Sequence, residues 1–373
     1  MNKTEKDFIV EIIKFNINKE KIEKLIKSNK INWINVLGFI SYHRISGLVY
    51  EKIKSINVRL LDFPVFFSTY MINQAQKCRN EYQLNEIKKI SKKIEQNNIK
   101  YVFLKGSILN HTIFEPGTRT SNDIDILISK NSIKITTEIL KDLGYTQGKY
   151  NYKKKTIENF NDSDLDESLK LKGETCPFVK IANETALETV DVDLNFSLDW
   201  TSNYNQEMID EILNNRVKIE LDETNVIYSA NVYDNIIQLC THLYKDTVLI
   251  DIVKKRKVFD LYKFIDIYYY ISLNYKNINF NVLKEKIRLF NAEQYVYFAL
   301  KYLSEIFNDF NNEEIVSLME YLQGIIRNPK ILDTIFDQYN IDKKSTTTIH
   351  IRDRIFEYNI IDKYKGEYYA NYN

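Results

Sequence analysis

Ile99-Lys100-Tyr101-Val102-Phe103-Leu104-Lys105-Gly106-Ser107 and, one polar loop later, Asp123-Ile124-Asp125-Ile126-Leu127-Ile128 decide how this chain reads. The first stretch opens as a short β-type run. Gly106 and Ser107 then start a helix-like piece that ends near Phe114. The loop Glu115-Pro116-Gly117-Thr118-Arg119-Thr120-Ser121-Asn122 is rich in turn residues. The second stretch alternates polar and apolar at its start, as a strand does. The spacing predicts strand–helix–strand, with Asn131 to Leu143 as a further helix closed by Gly144.

Chemistry follows from the same residues. Gly106 lets a ligand approach the backbone closely, and the free N–H groups of a helix beginning at Ser107 suit phosphate. Asp123 and Asp125 are two apart on a strand, so both side chains take one face. Oxygens so placed suit Mg²⁺, a hard cation that prefers carboxylates, phosphates and water. Val190-Asp191-Val192-Asp193-Leu194 offers a third carboxylate, from Asp191 or Asp193, and two metals can assist an in-line displacement at phosphorus. An Asp-x-Asp alone is a common solvated strand face. Gly-Ser, Arg119 and Asp-x-Asp in this order and context are far more specific for a nucleotide site.

Outward from this core the texture is helical. Phe8, Ile12 and Phe15 keep helical spacing, Trp33 to Ile45 forms a second segment, and Pro64 to Asn97 a third, with Leu84, Ile87, Ile90 and Ile94 on one face. Tyr150 to Thr175 is polar, with Lys153-Lys154-Lys155 and Asp162, Asp164, Asp166 and Glu167, and reads as an insertion or long hairpin. Phe178–Ile181 and Glu188–Phe196 read as strands. From Asn231 onward the pattern is mostly helical. The expected fold is α+β: a small mixed sheet at 99–225 flanked by helical regions at 1–98 and 226–373.

Composition sets outer limits. In 373 residues, 52 basic and 51 acidic side chains leave a formal charge of +1, which disfavours a protein that coats duplex nucleic acid. Nine Gly and four Pro argue for much helix. Three scattered cysteines fit a reducing compartment. The N-terminus has no secretory pattern, and Asp260, Lys263 and Asp266 interrupt the most apolar later stretch, so no membrane span is expected and the expected location is cytoplasmic.

Leu104-Lys105-Gly106, Arg119 and Asp123-Ile124-Asp125-Ile126-Leu127 together resemble the signature of a bacterial nucleotidyltransferase family within the DNA polymerase β-type superfamily. Trp33 and His43-Arg44 are similar to its upstream helix. Asp193-Leu194-Asn195-Phe196 is similar to its third acidic strand, commonly Asp-Leu-His-Trp, which favours Asp193 over Asp191, although Asn195 departs from the His. His242 and Arg256 to Leu261 are similar to its later helices. The resemblance spans roughly residues 30–270.

It implies transfer of a nucleoside monophosphate from an NTP, such as ATP, to an acceptor, with loss of pyrophosphate. Asp123, Asp125 and Asp193 would hold two Mg²⁺ ions, and Asp193 would also help deprotonate the acceptor. Lys105, Gly106, Ser107 and Arg119 would bind phosphates, with His242 and Asp260 as further nucleotide contacts. Bland alternatives stand beside these: a solvated strand-end Lys105, a loop-ordering salt bridge for Arg119, a core histidine for His242, and a solvent face for Arg256, Asp260 and Lys263. The favoured acceptor is a small molecule or peptide. A toxin-like enzyme acting on tRNA or protein, and a non-catalytic nucleotide-binding protein, are the alternatives.

Overall fold

Tyr101–Leu104 (β1), buried along its whole length, is a central strand of an eight-stranded mixed sheet. The structure is a computed structural model that describes residues 1–56, 61–171, 173–184, 186–198, 205–248, 261–326, 335–337, 340–345 and 355–356. It has two compact units, one of residues 72–235 and one of residues 1–71 with 236–373.

In the first unit, β1 and Asp123–Ile128 (β2) pair antiparallel. Thr146–Asn151 (β3), Thr156–Asn159 (β4), Phe178–Glu184 (β5), Leu187–Asn195 (β6), Val217–Glu220 (β7) and Val226–Ser229 (β8) complete the sheet, in the order β4-β3-β5-β6-β2-β1-β8-β7. The pairs β2–β6 and β1–β8 are parallel. The near-continuous apolar character of β1 and of β2 beyond Asp125 fits strands covered on both faces.

Helices numbered along the whole chain start with Lys3–Ile12 (α1), Lys19–Lys27 (α2), Trp33–Tyr42 (α3), Ser46–Ile53 (α4) and Phe63–Gln96 (α5). The length of α5 follows from its sequence: Pro64 lies in the first turn, and neither Pro nor Gly occurs after it. Ile87, Ile90 and Ile94 are buried, as their spacing predicts. Within the sheet unit follow Gly106–Thr112 (α6), Ile133–Asp142 (α7), Asp162–Leu171 (α8) and Gln206–Asn214 (α9). Gly144, at φ +87, follows α7.

Two local readings change. The polar stretch from Tyr150 holds the β3–β4 hairpin, with Lys153 to Lys155 at its turn, but also α8. Asn161 accepts the Asp164 N–H, and Asp162 and Asp164 sit in the first turn, where acids favour a helix. The acidic run is therefore a helix start. In the C-terminal region, Ile335–Asp337 (β9) and Asn340–Ser345 (β10) form a two-stranded sheet where only helical texture is expected; a three-residue strand is too short to show a period.

The second unit contains α1–α4, most of Val232–Val248 (α10), Leu261–Asn274 (α11), Phe280–Leu289 (α12), Glu293–Ile306 (α13) and Glu313–Ile325 (α14). Asparagine caps open α1, α2, α3, α12 and α14. Tyr268, Tyr269 and Tyr270 are buried packing residues; the Tyr268 ring stacks on Phe307 at 4.1 Å. His43 Nδ1 accepts the Leu261 N–H, which leaves Nε2 to donate to the Ile355 carbonyl at 3.1 Å. Among the described residues, no helix is long and apolar enough to cross a membrane. The tail tyrosines 358, 364, 368, 369 and 372 lie outside the described residues.

Candidate active site

The parallel pairing of β2 with β6 places Asp123 opposite Asp191 and Asp125 opposite Asp193. Residues two apart share a face, so four carboxylates form two rows on one side of the sheet. Asp125 is the best enclosed, 2% exposed. Its N–H donates to Ser107 Oγ at 2.8 Å, which ties the start of α6 to β2. Lys105 Nζ donates to Asp125 Oδ1 at 2.7 Å, and Asn195 Nδ2 approaches the same oxygen at 3.4 Å.

Burial pushes the Asp125 carboxyl up, Lys105 opposes the shift and Asp123 adds to it, leaving it at about 6. Asp193 is raised well above the ordinary value by burial and then by Asp123, Asp125 and Glu174. Asp191 is raised by burial and by Asp123, against Thr189 and Arg79, and its Oδ1 is buried without a hydrogen-bond partner among the described residues. Burial opposes the Lys105 charge, but Asp125 and Asp123 hold the ammonium above its ordinary range. The structure thus brings Asp123, Asp125, Asp193 and Lys105 together, while Asp191, opposite Asp123, also feels the charge of Arg79.

Glu174 is a fifth carboxylate at this site and was not anticipated. It pairs antiparallel with Asn195. Thr175 N–H donates to the Leu194 carbonyl and Phe196 N–H to that of Gly173, so Glu174 and Asn195 form a non-hydrogen-bonded pair, whose side chains are close and share a face. That face is the one carrying Asp193. A single Glu between α8 and β5 has no periodicity to mark it; only strand pairing reveals its place.

The loop after α6 is built against α5. Glu115 to Thr118 forms a turn with Pro116 at its second position and Gly117 at φ +89 at its third. The Gly117 N–H donates to Asn80 Oδ1 at 2.9 Å. Arg119, 8% exposed, donates to the Thr120 carbonyl. Gly106 lies beneath: a Cβ there would stand 2.4 Å from Arg119 Nη1 and 2.5 Å from Ser121 Oγ. Both side chains are buried and have little room to yield. Gly106→Ala is expected to lower stability by about 1–3 kcal/mol, read as a fall in the urea midpoint; an unchanged midpoint would show that Arg119 moves freely.

His242 belongs to the other unit. On α10 it lies 3.5 Å from the Asp246 carboxylate, which Lys263 also binds. Burial opposes the Asp246 charge, but Lys263 and His242 hold it below the usual carboxylate range. Arg256 and Asp260 lie outside the described residues.

The carboxylate face offers only hard oxygen donors, and burial with mutual repulsion drives Asp125 and Asp193 toward the neutral form. That is the electrostatic condition of a site that gains from added positive charge. As they stand, no three His, Cys, Asp or Glu side chains among the described residues surround a common point; Lys105 supplies the positive charge.

A family model described as an uncharacterised nucleotidyltransferase matches residues 29–308, about three-quarters of the chain. No curated protein matches the chain.

Proposed function

The chain belongs to this nucleotidyltransferase family, and we propose that it transfers a nucleoside monophosphate from an NTP to a hydroxyl of a small-molecule or peptide acceptor, releasing pyrophosphate. One observation carries the reading. Asp123 and Asp125 face Asp191 and Asp193 in parallel register, beside a Lys-Gly-Ser turn whose serine is bonded to Asp125.

In this reading Asp123, Asp125 and Asp193 hold Mg²⁺, which when bound polarises the phosphoryl oxygens and offsets the developing charge. Asp193, raised by burial and then by its acidic neighbours, accepts the acceptor's proton. Lys105 and Arg119 neutralise the phosphates, Arg119 through its planar fork. The Gly106 and Ser107 N–H groups bind terminal phosphate oxygens, and Ser107 also keeps β2 in place. The near-neutral chain favours a small acceptor over tRNA.

Calorimetric titration of each NTP with Mg²⁺ tests the reading. The wild type is expected to bind one NTP in a Mg²⁺-dependent way, and Asp193→Asn to weaken that binding more than Asp191→Asn does. Mg²⁺-independent binding, or none, would sink the proposal. A larger loss in Asp191→Asn would move the third ligand to that residue.

A further inference from the structure

The carboxylate face carries a cation of its own. Lys105 reaches Asp125 at 2.7 Å, with its side chain 18% exposed and that of Asp125 2%. Its backbone is unusual for a residue with a side chain: φ is 49° and ψ −128° between β1 and α6. A non-glycine residue holds such a conformation only where its surroundings enforce it. Asp123, Asp193 and Glu174 all act on this ammonium or on the carboxylate it binds. Without it Asp125 would lose the ammonium bound to it, and the face would keep several buried or half-buried carboxylates that repel one another.

We propose that Lys105 is the resident counter-cation of the site. It occupies Asp125 in the nucleotide-free chain, competes there with a divalent cation, and swings to the NTP phosphates when the donor binds. The inference rests on the nucleotidyl-transfer reading. A four-carbon stem with a rotatable ammonium suits such an exchange, whereas a rigid bidentate fork would not. The exchange makes metal and nucleotide binding cooperative: the donor removes the lysine from the carboxylate that the metal needs.

Mn²⁺ binding by the full chain, followed by the paramagnetic resonance of the free ion, tests this in wild type, Lys105→Met, Lys105→Gln and Lys105→Arg. Without nucleotide, the two neutral variants are expected to bind Mn²⁺ at least about tenfold more tightly than wild type, because a cation a few ångströms from the metal is gone. Lys105→Arg should remain within about threefold of wild type, since it keeps the charge. Neutral variants that fold only when Mn²⁺ is present would also support the exchange. Neutral variants that bind Mn²⁺ no more tightly than wild type would overturn it, as would failure to fold with and without Mn²⁺. In this experiment a wild type that takes up no Mn²⁺ with each NTP present, beyond what the NTP alone binds, would overturn the nucleotidyl-transfer reading, and the exchange with it.

Discussion

Asp125→Asn is expected to lower kcat by about three orders of magnitude and to leave a folded protein. The size follows from charge. A metal-held phosphoryl group draws several kcal/mol of transition-state stabilisation from its ligands, and about 1.4 kcal/mol is a factor of ten in rate. Asparagine keeps the side-chain volume and one oxygen for Lys105 and Asn195, but would offer a bound metal no charge. Opposing changes limit the effect on folding. Lys105 loses its nearest anion, whereas Asp123 and Asp193 lose a repelling neighbour. The net change in stability is expected within about 2 kcal/mol. Pyrophosphate release from the NTP that the wild type accepts, with urea unfolding of the same preparations, measures both. Turnover within tenfold of wild type would remove Asp125 from the chemistry, and an unfolded variant would show that its structural role dominates.

What the sequence discloses about this site is local. The spacing of Asp123 and Asp125 on a strand, the glycine after β1 and the long α5 all follow from short-range patterns, and the fold carries each of them. Asp191 and Asp193 cannot be separated by spacing, because both take one face of β6. The strand register sets each opposite a different partner, Asp191 opposite Asp123 and Asp193 opposite Asp125. The Lys105–Asp125 pair, the Ser107 tie to β2 and the arrival of Glu174 beside Asn195 are tertiary facts with no periodic trace. The acids of α8 were legible as a helix start, given Asn161 before them, but a run of charge hides a cap. The seven residues of α6 make too short a helix for a large dipole. Phosphate binding at the turn, as proposed, would therefore depend on its side chains more than the strand-to-helix pattern suggests.

Those side chains need a rigid support, and Glu86 supplies part of it. This carboxylate, 1% exposed on α5, accepts from Lys89 at 2.7 Å, from Lys180 of β5 at 2.9 Å and from the Tyr145 hydroxyl at 2.9 Å. It joins the helix to β5 and to the entry of β3. Burial opposes its charge, but the bonds from Lys89, Lys180 and Tyr145 hold its carboxyl below the ordinary value of 4.5. The native chain therefore binds this proton less readily than the unfolded chain. The stabilisation is fully present above pH 4.5 and is lost as the pH falls through the lower native value. Glu86→Gln removes the charge and turns an N–H₂ toward at least one donor. Breaking a fully buried pair costs about 3–5 kcal/mol. Lys89 is half-exposed and recovers hydration, so about 2–3 kcal/mol is expected here at neutral pH. Urea midpoints of wild type and Glu86→Gln across the pH range test the assignment. The two curves should differ most near pH 7 and converge below pH 4.5, because protonation gives the wild type the same neutral group. A gap that persists unchanged into acid would mean that shape, not charge, holds this joint.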